Sequence, residues 1–133
     1  MHSTFDYAVI RVVPRVERGE QINAGVIVSC PTQGYLGARV ALDAPKLRAL
    51  WPAIDVAEVD AALALIPLIA AGDARGGPIA ALPRSDRFHW LVAPRSAVIQ
   101  ISPVHTGLCD APAAALDQLL ARLVLVNERP ISG

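Results

Sequence analysis

The spacing of hydrophobic and polar positions shifts along the chain, and each shift predicts an element. YAVIRVVP, 7–14, is rich in β-branched residues and predicts a strand, with Arg11 as its charged interruption. A charged connection, RVERGEQ, follows, with Gly19 as its turn residue. INAGVIVSC, 22–30, is apolar on both faces, the pattern of a central strand. A turn bounded by Pro31 and Gly34 leads into YLGARVAL, a third strand in hairpin connection with the second.

The period then lengthens. Asp43 occupies an N-cap position before Pro45 and Leu47, opening a short helix that stops before Pro52. Asp55, with Glu58 three residues on, resembles a capping box and opens a helix through Val59, Leu63 and Ile66, which Pro67 should kink or end. The stretch 72–86, GDARGGPIAALPRSD, has no period and predicts a mobile internal loop. RFHWLVA (87–93) and AVIQIS (97–102) predict two further strands joined at Pro94-Arg95-Ser96. Asp110 caps a final helix, in which Leu116, Leu119, Leu120, Leu123 and Val124 form one apolar stripe. The order predicts a single α+β domain over 1–133: a mostly antiparallel sheet of about five strands with helices packed on one face.

Composition narrows the classes. The chain has 133 residues, 53% of them hydrophobic, but much of that is alanine, so Leu, Val and Ile carry the core. A formal net charge of zero argues against a general nucleic-acid binder, which needs excess positive charge for phosphates. Lys46 is the only lysine. Two cysteines, Cys30 and Cys109, make neither a metal knuckle nor a disulfide framework. The first seven residues lack a signal peptide's basic-then-apolar pattern, and the longest apolar run, 61–71, is too short to span a bilayer. The expectation is a soluble, cytoplasmic protein. Gly76-Gly77-Pro78 lacks the lysine and helix of a phosphate-binding loop, so no cofactor is predicted.

Two long blocks, YAVIRVVPRVERGEQINAGVIV with GYLGARV, and RFHWLVAPRSAVIQISPVHTGL, resemble the bacterial family catalogued as Domain of Unknown Function 3037. The resemblance covers nearly the whole chain. It implies no particular chemistry and no assigned catalytic residues. It implies a protein partner, since members are often encoded beside a kinase-like protein similar to the HipA toxin kinases.

Two clusters carry candidate chemistry. In the first, Arg11 lies inside an apolar strand, where a charge is costly unless paired. Glu20 is a candidate partner, Arg18 a supporting residue, and Asn23-Ala24-Gly25 places an amide beside bare backbone, either a bulge or a ligand approach. In the second, Arg95 and Ser96 sit in a turn, Gln100 and Ser102 along a strand, and His105 and Thr106 in the loop beyond Pro103. Arg11, Asn23, Arg95, Ser96, His105 and Thr106 suit a small anionic ligand, because an arginine fork and hydroxyl donors match phosphate or carboxylate oxygens. The bland alternative is a loop folded by its own side-chain-to-backbone bonds. A Ser96/His105/Asp110 triad has the residue types but no supporting motif, and the His105–Cys109 spacing finds no third metal ligand. Two hypotheses stay open. One is a non-catalytic binding module acting with a partner protein or binding a small anion. The other is a small enzyme acting on a phosphorylated or carboxylated substrate through the Arg/His loop.

Overall fold

A computed structural model describes residues 2–15, 18–93 and 98–125. Among these, five strands and four α-helices follow in the order β1 (Ser3–Val12), β2 (Ile22–Cys30), β3 (Tyr35–Val40), α1 (Ala44–Leu50), α2 (Val56–Ala71), α3 (Arg84–Val92), β4 (Ile99–Ile101), β5 (His105–Cys109) and α4 (Pro112–Leu123). The sheet runs β3-β2-β1-β4, and β5 also pairs with β1; every pairing is antiparallel. The domain is α+β, as expected. No helix among the described residues is long and apolar enough to cross a membrane.

The helices lie on both faces of the sheet, not on one. On one face Ile10, Val12, Ile27, Leu36 and Ala38 pack with α2 residues Val59, Leu63, Ile66 and Ile69, with Leu47 of α1, and with Phe88 and Leu91 of α3. On the other, Phe5, Val26, Val28 and Cys30 pack with Ala115, Leu116, Leu119 and Leu120 of α4. A bulge permits this. Ile10 faces Gly25 and Arg11 faces Asn23, so Ala24 is the extra residue of β2. Ile22 and the bulged Ala24, and Ile27 beyond it, reach the α2 face, while Val26, Val28 and Cys30 reach the α4 face. Gly25 is required there: a Cβ would sit 2.5 Å from the Arg39 carbonyl oxygen on β3 and 2.8 Å from Ile10 Cδ1.

Local chemistry sets the helix starts. Asp43 accepts a hydrogen bond from the Lys46 N–H, and Asp55 one from the Glu58 N–H, as their sequence positions imply. Asp55→Ala should cost about 1 kcal/mol, measured as a lower urea midpoint; an unchanged midpoint would show that the cap is dispensable. Pro67 does not end α2, which runs on to Ala71 and closes on Gly72 in the left-handed region. Five buried side chains, Val59, Leu63, Ile66, Ile69 and Ala70, hold the helix across the proline.

Three further expectations change. RFHWLVA is not a strand; it lies in α3 and its junction, burying Phe88 and Leu91 at helical spacing while Trp90 is exposed. HTGLC, read as loop, is strand β5. Asp110 does not cap α4: Ala111 is the N-cap residue, and the Asp110 carboxylate lies 3.0 Å from His2 Nδ1. Within 72–86, two 3-10 turns (Ala74–Gly76 and Pro78–Ala81) lie against α2 with Ala80 buried, and α3 begins at Arg84.

Candidate functional site

β4 and β5 lie end to end along one edge of β1. β4 pairs with Ile10–Val12 and β5 with Ser3–Tyr7. Between them the edge carries one residue more than β1, because Ile101 faces Ile10 and His105 faces Tyr7. Ser102 stitches this break. Its buried hydroxyl accepts from the Val9 N–H at 2.8 Å and donates to the Pro103 carbonyl at 2.9 Å, while its own N–H donates to the Val9 carbonyl.

Side-chain alternation then sorts the predicted site residues. Arg11 lies on the α4 face, half-buried, with Asn23 on β2 and Gln100 on β4 as its register partners. The three form a polar row across three strands. Arg11 Nε is buried with no hydrogen-bond partner among the described residues. Glu20 is not its partner. The Glu20 carboxylate takes the Arg18 guanidinium at 3.1 Å, because the two residues stand two apart in the β1–β2 connection. Asn23 donates to the Leu123 carbonyl at 3.0 Å and so ties the last turn of α4 to β2.

His105 is exposed on the same face, its ring 5.3 Å from that of Tyr7. Tyr7 and Arg11 are four residues apart on β1, so His105 and Arg11 are separated by about 13 Å along the strand. Thr106 lies on the opposite face, where its hydroxyl donates to Asp6 at 3.0 Å. Arg95 and Ser96 lie outside the described residues. The structure therefore brings Arg11 and Asn23 together, holds His105 apart from them, and turns Thr106 away. The Ser96 of the triad considered above is also outside the described residues, and Asp110 pairs with His2. No group of three His, Cys, Asp or Glu residues among those described is placed to hold a metal ion. Burial, and next the adjacent Cys30 thiol, push the Cys109 thiol up from its ordinary value, the opposite of an activated thiolate.

A cleft of about 920 Å³ opens where β2 begins, β3 gives way to α1, and α4 ends. Its apolar lining includes Ile22, Leu42 and Leu123–Leu125. Its polar groups are Gln21, Asn23, Asp43 and Lys46. Asp43 accepts the Lys46 N–H and keeps its carboxylate charge, so the cleft carries one carboxylate and one ammonium. Of the predicted site residues among those described, Asn23 alone lines it. Gln21, Asp43 and Lys46 escape a reading by local clusters because they come from separate elements. Lys46 stands out in the sequence only as the single lysine. A smaller cavity, about 370 Å³, lies between Trp51, Ile54 and Val59 on one side and Val98 and Ile99 on the other.

No curated protein and no solved structure matches the chain significantly. The family model described as "Protein of unknown function (DUF3037)" matches residues 7–124, from within β1 to the residue after α4. The Ala24 bulge, the Ser102 stitch and the cleft apart from Leu125 fall inside that span, and the chain belongs to the DUF3037 family.

Proposed function

We propose that the protein is a non-catalytic binding module whose cleft between β2, α1 and the end of α4 takes a small ligand with an anionic group. The observation that carries this reading is the cleft's lining. Apolar side chains, two amides and one ammonium without an ion pair among the described residues, with a single carboxylate (Asp43) that already accepts the Lys46 N–H, suit recognition of a ligand of modest size. Amides and an ammonium orient an anion by hydrogen bonding and charge. Arg11, the register partner of Asn23, adds a second cation close to that end of the sheet. A cytoplasmic setting and a protein partner, the kinase-like neighbour implied by the family resemblance, belong to the same proposal. The small-enzyme alternative, working through Arg95 and His105, gains no support from a cleft that His105 does not line.

The test is calorimetric titration with inorganic phosphate, nucleotides, short carboxylates and the purified kinase-like protein. Lys46→Ala should weaken binding of whichever anion is taken by about 1.5–3 kcal/mol, the usual worth of a hydrogen bond to a charged group. Affinities equal in wild type and Lys46→Ala, or no binding of any of these, would overturn the reading.

A further inference from the structure

The outer edge of β5 has the geometry of an unfinished sheet. Along β1 the odd-numbered residues turn their backbone groups toward the β4–β5 edge. The Val13 N–H donates to Val98, the Ser102 N–H donates to Val9, and the Val9 N–H donates to the Ser102 hydroxyl. Antiparallel ladders alternate strictly, so Tyr7, Phe5 and Ser3 bond to their register partners His105, Gly107 and Cys109. Thr106 and Leu108 therefore turn their N–H and C=O groups outward. Among the described residues no backbone partner meets them.

Edge strands usually carry protection against pairing: a charge on the strand, a proline in it, or a bulge that twists it away. Thr106, Gly107, Leu108 and Cys109 carry no charged side chain and no proline, and the register with β1 is unbroken from His105 to Cys109. Leu108 is 68% exposed and Val104 43%. A regular edge with neither charge nor proline from Thr106 to Cys109 is a template for another strand.

We infer that a second copy of this chain docks on this edge, β5 against β5 in antiparallel register about Gly107. The strand is self-complementary in that register. Thr106 of one copy faces Leu108 of the other, twice over, and each pair exchanges two N–H···O=C bonds. Gly107 faces Gly107 at the narrow, non-hydrogen-bonded position, where Cα atoms approach to about 4.5 Å. Glycine is the residue that fits, because the Phe5 ring lies 2.9 Å from the position its Cβ would take. The exposed Leu108 side chain gains a neighbour across the strand, Thr106 of the other copy. No pair in this register sets like charges opposite each other, and the chain's zero net charge opposes association little. The contact is two-fold symmetric and closes on itself, as a dimer requires.

Light scattering on the eluting protein should give twice the 14.0 kDa of one chain at high concentration. Amide exchange at Thr106 and Leu108 should be slow there and become fast on dilution. Leu108→Lys, at an exposed side chain, should return the mass to that of one chain with an unchanged circular dichroism spectrum. Leu108→Pro, which removes only an outward N–H, should do the same. A wild type that stays at the mass of one chain overturns the inference. So does a dimer whose Thr106 and Leu108 amides exchange rapidly, since it pairs through another surface, or one that survives both substitutions. Pairing of this edge with a different protein in place of a second copy would appear as the first of these results.

Discussion

Leu120→Ala should lower the stability of the domain by about 2–5 kcal/mol. Leu120 is 3% exposed and packs in the cluster formed by Phe5, Val26, Val28 and Cys30 of the sheet with Leu116 and Leu119 of the same helix. Among the described helices, α4 alone supplies this cluster. Truncation removes the buried methyl groups and leaves a cavity that a rigid sheet cannot collapse to fill. The urea midpoint should fall with an unchanged slope, since the surface exposed on unfolding stays nearly the same. Leu65→Ala on α2, at a residue 45% exposed, is the control and should stay within about 0.5 kcal/mol of wild type. Equal shifts in the two variants would show that α4 is not seated on the sheet.

Ser102→Ala should cost about 1–3 kcal/mol, a large effect for the loss of one oxygen. The hydroxyl is the acceptor for the Val9 N–H, and that donor is buried. With the oxygen gone, the N–H has no partner, and water reaches it only if the sheet opens at the bulge between β4 and β5. The deletion therefore carries the desolvation cost of an unpaired donor as well as the loss of a bond. Ser102→Thr keeps the oxygen and should recover most of the stability. Amide exchange gives the local readout: the Val9 amide should exchange faster in Ser102→Ala, while amides in α2 follow only the global change. A Val9 amide as protected as in wild type would assign the stitch to another group.

Features that depend on bonds within a few residues were legible in advance. Asp43 and Asp55 cap their helices because the acceptor, the N–H three residues on and the non-helical cap conformation all lie in one short segment. The Leu116–Leu119–Leu120 stripe was legible because its period is a property of the helix itself. RFHWLVA was misread because seven residues fit both periods, and burial of Phe88 and Leu91 with exposure of Trp90 decides between them. HTGLC has little strand preference of its own. Its conformation comes from pairing with Ser3–Tyr7, nearly a hundred residues earlier in the chain.

The candidate site divides along the same line. Sequence alone determined that Arg11 and Asn23 stand in apolar strands and that polar groups crowd around 95–106, since residue type and local pattern are enough to see this. The antiparallel α+β class was likewise legible, because short turns between strand-like runs allow little else. Only the tertiary structure decided which face each group reaches. The Ala24 bulge switches the faces of β2, and the extra residue between Ile101 and His105 sets the register of β5, so His105 and not Thr106 reaches the α4 face. Only the tertiary structure joined Asn23 to Lys46 and the end of α4 in one cleft. The physical reason is that a strand's alternation fixes a side chain's face only relative to its neighbours. One added residue inverts every face beyond it, and the core on each side of the sheet selects the inversion that buries the most apolar surface.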